Sequence, residues 1–78
     1  MSHSSIEQIF HSMAEKWPST YVSREKVGEF SGGILHPRTL ANLDCKGLGP
    51  KRFRVGRKVV YHVDDLCEWL SIRACKID

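Results

Sequence analysis

Residues 23–47 read SREKVGEFSGGILHPRTLANLDCKG, and this stretch decides the fold. Ser23 can cap the free amides of Glu25 or Lys26 at a helix start, with Val22 and Val27 at the two positions of a hydrophobic staple. Val27 and Phe30 then face inward, and Ser31-Gly32-Gly33 stops the helix with residues that accept a positive φ. Ile34, Leu35 and His36 lead to Pro37, whose missing N–H suits the first position of a new helix. That helix is predicted from Pro37 to about Lys46, stopped by Gly47 in the left-handed position past its end. Helical spacing sets Leu40 and Leu43 on one side and Arg38, Ala41, Asn42 and Cys45 on the other, with Thr39 and Lys46 flanking the exposed face.

Two helices joined by a short glycine-containing turn form the helix-turn-helix pattern. Downstream, Leu48-Gly49-Pro50 makes a loop. Phe53-Arg54-Val55, a Gly56-Arg57 turn and Lys58-Val59-Val60-Tyr61-His62 then read as a two-stranded hairpin with a basic tip. Asp64 or Asp65 is placed to cap a last helix, Asp65 and Glu68 having capping-box spacing. Leu66, Trp69, Leu70 and Arg73 recur on one face of it, the first three closing the core. Upstream, a helix is expected from about Ser5 to Lys16, with a capping box at Ser4 and Glu7 and a stop at Pro18-Ser19-Thr20. Its stripe of Ile6, Ile9, Phe10, Met13 and Trp17 is core or a partner-docking face rather than a cofactor site.

At 78 residues the chain has room for one domain, and a domain of this size cannot unaided hold a deep, water-free enzyme pocket. Its hydrophobic fraction of 41% and charged fraction of 27% are ordinary for a globular protein. No run of about 20 apolar residues is present, and Met1-Ser2-His3-Ser4-Ser5 lacks the pattern of a secretion signal, which makes the cytoplasm the expected compartment. Cys45, Cys67 and Cys75 are odd in number and without C-x-x-C spacing, indicating neither a disulfide framework nor a zinc site.

Charge is distributed unevenly. Residues 38–58 hold seven basic residues against Asp44, a net of +6, whereas the rest of the chain holds five basic and eight acidic residues, a net of −3. Such asymmetry within one small domain marks a polyanion-binding face; the alternative is a solvated basic loop. On the exposed face of the third helix, Arg38 matches guanine O6 and N7, Asn42 matches adenine N6 and N7, and Ala41 can touch a thymine methyl. Thr39 and Lys46, at its margins, are placed to hold phosphate. Arg54, Arg57 and Lys58 in the hairpin can neutralise phosphates or enter the minor groove, and Lys51 and Arg52 extend that track. Their other reading is protection of a sheet edge. His36 can accept from the first amides of the helix, touch a phosphate, or be a plain loop residue; His62, Tyr61 and Trp69 are read as packing.

In order along the chain, Tyr21-Val22-Ser23-Arg24-Glu25-Lys26-Val27, Arg38-Thr39-Leu40-Ala41-Asn42-Leu43, Gly47-Leu48-Gly49-Pro50, Gly56-Arg57-Lys58-Val59-Val60-Tyr61 and Asp65-Leu66-Cys67-Glu68-Trp69-Leu70 resemble the excisionase-like and AlpA-like winged-helix proteins related to the MerR-type DNA-binding domain. The resemblance spans Tyr21 to about Leu70 and departs from the pattern at three places. Leu43 replaces the usual tryptophan or tyrosine, the turn through Gly32-Gly33-Ile34-Leu35 is long, and the helix before Pro18 is extra. It implies a mostly α fold with a small β-hairpin: a winged helix-turn-helix (MerR/excisionase-like) plus an extra N-terminal helix. One domain over 1–78 would comprise a helical extension (1–20), the winged core (21–70), and the helix end and tail (71–78).

The resemblance further implies a recognition helix at Arg38 to Lys46 and a wing at Arg54 to Tyr61. The work implied is that of an excisionase, a recombination directionality factor acting beside an integrase on a prophage or genomic island. A small transcriptional regulator is the alternative. The expected partner is double-stranded DNA in the cytoplasm, at the nucleoid, with an integrase or a second copy as a further partner. No cofactor, metal, membrane or small-molecule substrate is expected. Three other readings compete with DNA binding. An enzyme would need G-x-S-x-G, H-E-x-x-H, a P-loop or G-x-G-x-x-G, none of which occurs, leaving only a Cys/His pair among Cys45, Cys67, Cys75, His36 and His62. A protein-interaction module would dock through Ile6, Ile9, Phe10 and Met13. RNA binding is weakened because the hairpin lacks an aromatic pair for stacking unpaired bases.

Overall fold

A computed structural model describes residues 6–74. Helix α1 (Ile6–Lys16) leads past Pro18 to a short strand, β1 (Tyr21–Ser23). One 3₁₀ turn (Arg24–Lys26) runs on into α2 (Val27–Phe30), and α3 (Pro37–Cys45) follows after a turn. Strands β2 (Phe53–Val55) and β3 (Lys58–His62) come next, and α4 (Val63–Arg73) leaves β3 without a linker. The chain is about half helical, with a small three-stranded antiparallel sheet in the order β1-β3-β2. Among the described residues, no helix is long and apolar enough to cross a membrane.

The third strand corrects the two-stranded reading. Tyr21, Val22 and Ser23 pair with His62, Tyr61 and Val60 of β3, and the Val63 N–H continues the ladder to the Thr20 carbonyl at 2.8 Å. Val22 and Val27 are fully buried, as a staple would bury them, but Val22 gets there as a strand residue. Ser23 has the extended backbone of an N-cap, yet its side chain makes no capping bond, and the segment it opens is 3₁₀ before it is α.

The turn between α2 and α3 is tied by Ser31, whose Oγ donates to the Val27 carbonyl at 2.6 Å and accepts from the Leu35 N–H at 2.8 Å. The buried hydroxyl thus adds a second donor to a carbonyl that already accepts the Ser31 N–H, and is itself satisfied while directing Leu35 into the core. Pro37 opens α3 as expected, and the His36 side chain caps it by accepting from the Arg38 N–H at 3.2 Å. At the other end Gly47 has φ +74°. The Leu48 N–H reaches the Leu43 carbonyl and the Gly47 N–H reaches that of Asp44, the paired bonds of a Schellman ending.

Helix α4 is capped by His62 in the same way, Nδ1 accepting from the Asp64 N–H at 3.2 Å. This corrects the expected Asp64 or Asp65 cap; both carboxylates lie in the first turn, where they favour the positive end of the helix dipole. The Ser4–Glu7 capping box and Cys75 involve positions outside the described residues.

One core joins Phe10, Val22, Val27, Phe30, Leu35, Leu40, Tyr61, Val63, Leu66 and Leu70. Helix α1 packs along α4, with Phe10 buried, Met13 packed against the core and Trp17 edge-on to Phe30 at 5.4 Å. The Trp17 indole N–H donates to the Tyr21 carbonyl, and Ile9 of the same stripe is 47% exposed. Most of the described stripe is therefore core, not a free docking face.

Candidate functional site

Helix α3 is carried on the core by the buried Leu40 and the half-buried Leu43, which leaves Arg38, Thr39, Asn42, Cys45 and Lys46 exposed and Ala41 half-buried beside them. Alternation along the hairpin places Arg54 and Val59 on the face shared with the buried Tyr61 and Val22. A groove results between α3 and the hairpin, lined by Ala41 and Cys45 on one side and by Lys51, Arg52, Phe53, Arg54 and Val59 on the other, with Arg24 and Asp44 also reaching it. The structure thus brings Ala41, Lys51, Arg52 and Arg54 together, next to the open face of α3. Arg57 stands apart at the hairpin tip, where Gly56 has φ +63°.

Lys58 does not join this groove. It lines the opposite, outward face of the sheet, and its ammonium donates to Glu25 Oε1 at 2.6 Å. Hydrogen bonding to Lys58, followed by its charge, lowers the Glu25 carboxyl below the usual carboxylate range. Among the described residues, no acidic side chain pairs with Arg38, Lys46, Lys51, Arg54 or Arg57. Of the seven basic residues in 38–58, Lys51, Arg52 and Arg54 line the groove next to Arg38 and Lys46, Arg54 also reaches the outward face where Lys58 is paired, and Arg57 stands at the tip.

Asp44, the one acid in that stretch, is buried to 5% exposure and paired with Arg24. Its Oδ2 accepts from Arg24 Nη2 and from the Tyr61 hydroxyl, each at 2.6 Å, and Arg24 Nε donates to the Tyr61 oxygen at 3.1 Å. Arg52 Nη2 donates to the Asp44 main-chain carbonyl at 3.3 Å. Burial, then the hydrogen bond to Asp44, pushes the Tyr61 phenol up to about 12. The bond to Tyr61 above all, and then Asp44, raises Arg24 further above its ordinary value. Arg24 and Asp44 were not among the site residues read from sequence, because their partners lie 20 and 17 positions away and no local pattern announces them.

The missed strand also changes one premise. It sets Tyr21 on the outward sheet face that holds Phe53, Val55 and Val60, so an aromatic pair absent from the hairpin alone is assembled there, each ring 49% exposed. Glu25 is tied to Lys58 on that face, and Arg54, which also lines the α3 groove, is the other charged residue there. The remaining candidate chemistry is sparse. Cys67 Sγ donates to the Phe10 carbonyl at 3.3 Å and is pushed up by burial and by Asp64, away from thiolate reactivity, while Cys45 is exposed on α3. Among the described residues, no group of three or more His, Cys, Asp and Glu side chains is placed to hold a metal ion. No protein family, curated protein or solved structure matches this chain, and its function is read from the residues and the geometry above.

Proposed function

We propose that this chain is a sequence-specific double-stranded DNA-binding domain of the winged helix-turn-helix type, working as an excisionase. Helix α3 enters the major groove, and the β2–β3 hairpin is the wing. The observation that carries the reading is the joining of two surfaces. The exposed face of α3, with Arg38, Thr39, Asn42 and Lys46, runs into a groove walled by Lys51, Arg52 and Arg54, while the acid in the same stretch is buried. Arg38 and Asn42 carry base preference through bidentate contacts, with Ala41 against a thymine methyl. Thr39, Lys46, Lys51, Arg52, Arg54 and Arg57 hold phosphates and supply affinity without sequence information.

Two features qualify the likeness to the tightest helix-turn-helix units. The turn at 31–36 is longer than three or four residues, and the first helix is a 3₁₀ turn followed by one turn of α-helix. Both alter the approach angle of α3 rather than its accessibility. A transcriptional regulator would use the same surface, since function resides in the site bound rather than in the fold.

The test is a fluorescence-anisotropy titration of duplex DNA across a salt series. Each phosphate contact contributes about 0.9 to the slope of log affinity against log salt. A Lys51/Arg54/Arg57→Ala variant is expected to lose about 2.7 of that slope, and Lys58→Ala alone less than about 0.5, because Lys58 faces away and is paired with Glu25. Absence of binding by the wild type at low salt would reject DNA as the partner.

A further inference from the structure

A carboxylate withdrawn from water survives only when it is paired and hydrogen-bonded, and such pairs are weak evidence for stability as such. What the pairs around Asp44 do is join elements. Asp44 belongs to α3, Arg24 to the 3₁₀ turn, Arg52 to the loop before β2, and Tyr61 to β3. Three bonds close a triangle among Asp44, Arg24 and Tyr61 at 2.6, 2.6 and 3.1 Å, and Arg52 adds a fourth element through the Asp44 carbonyl. Asp44 Oδ1 has Arg52 Nη1 at 3.8 Å but no hydrogen-bond partner. It occupies the place a side chain at position 49 would need, since a Cβ on Gly49 would stand 1.8 Å from it. The loop thus closes over the carboxylate only because residue 49 has no side chain.

We infer that Asp44 is the positioning residue of the DNA-binding surface, setting the angle between α3 and the β2–β3 hairpin so that base-reading and phosphate-holding side chains meet one duplex together. The inference rests on the DNA-binding reading. Its physical core does not, because the triangle links the C-terminal turn of α3 directly to β3, across the 16 residues between Asp44 and Tyr61, which include the loop and β2. Hydrogen bonds of fixed direction select one helix-to-wing angle, which apolar contacts at the same place would leave freer. Asp44 also holds Arg24 and Arg52 at the groove, so its charge determines which cations line the DNA path.

The experiment compares the wild type with Tyr61→Phe, which keeps the ring and removes only the hydroxyl, and with Asp44→Asn. Two readouts are taken under conditions where each protein is folded. The first is the ratio of affinities for a selected duplex and a scrambled one, across the salt series. The expected result is a loss of about tenfold in that ratio, the scale of one base-specific contact, with the salt slope unchanged in Tyr61→Phe, which keeps every charge. A purely stabilising role lowers the melting temperature and leaves the ratio alone. The second readout needs no DNA: N–H residual dipolar couplings give the orientation of α3 relative to β2 and β3, which is expected to change in both variants. Should Asp44→Asn fail to fold, Tyr61→Phe carries the comparison alone. Couplings that match the wild type, or a ratio kept within about twofold, overturn the inference. Altered couplings in a chain whose wild type prefers no duplex leave the clamp standing and remove the DNA reading.

Discussion

Tyr61 is the residue whose chemistry is most changed by folding. Its ring is fully buried, and its hydroxyl is both donor to Asp44 and acceptor from Arg24. The folded chain holds the phenolic proton up to about 12, against an ordinary value of 10.0, so stabilisation from this group is complete below pH 10 and is lost as pH rises through 12. The interval corresponds to roughly 2–3 kcal/mol, as an order of magnitude. Tyr61→Phe, which lacks the phenol and keeps every other titrating group, is therefore the control. Urea midpoints of the two proteins are expected to lie well apart at pH 9, to draw together above pH 10 and to converge only as pH passes 12; a constant gap would mean that the phenol proton contributes nothing. At Gly49 the sign is set by space. The nearest atom to an added Cβ is the end of a short side chain, but that carboxylate is held by Arg24 and Tyr61 and cannot swing aside. Gly49→Ala is expected to cost about 1–3 kcal/mol in chemical denaturation, the range for overfilling a packed site. A cost near zero would show the loop to be free to lift.

The elements differ in how far they can be read from sequence, and the difference follows from the range of the interactions that make them. Helix α3 and the hairpin are legible because their signals are local: Pro37 at the first helical position, Gly47 past the last, and Gly56 at a two-residue turn. Strand β1 is not. Three residues are too few for a period, and their partners Val60 to His62 lie some 40 positions away. The His62 cap, unlike that of His36, is hidden for another reason, since a ring Nδ1 accepts from the amide two residues on just as an Asp oxygen would, and Asp64 and Asp65 offer the more usual capping side chains close by. The exposed row on α3 could be read from helical spacing, but the Asp44 triangle and the Glu25–Lys58 pair arise only when distant segments close on each other. Helix α1 was left open between core and docking face, and burial decides for core at Phe10 and Met13. Phe10→Ala should therefore lower stability by about 3 kcal/mol, at the lower end for an aromatic removed from a core. Removing residues 1–17 should abolish cooperative unfolding, because Phe30 loses the edge of Trp17 and α4 loses the packing of α1. A fragment that melted cooperatively without α1 would return that face to the role of a partner surface.

At the scale of the whole molecule, the reach of the recognition surface limits what one copy can do. Helix α3 has nine residues and spans about 13.5 Å, enough to face roughly four base pairs stacked 3.4 Å apart. A four-base-pair word recurs by chance about once in 256 positions, far too often for a single copy to find one site among the competing sequences of a genome. On the proposed DNA-binding reading, the hairpin would add phosphate contacts, which raise affinity for all sequences alike and so leave the ratio untouched. On that proposal, selectivity would have to come from repetition of the site along the duplex, with copies bound side by side in tandem or inverted register. The expected result is that a duplex with two selected sites at the preferred spacing fills cooperatively, the second copy binding at least about tenfold more tightly than the first. Changing the spacing by about half a helical turn should abolish the effect by placing the copies on opposite sides of the DNA. Isotherms on the two-site duplex that fit independent single sites at every spacing would assign the missing selectivity to a different protein, and Ile9, exposed on the outer side of α1 and away from the α3 groove, would be the first place to seek its contact.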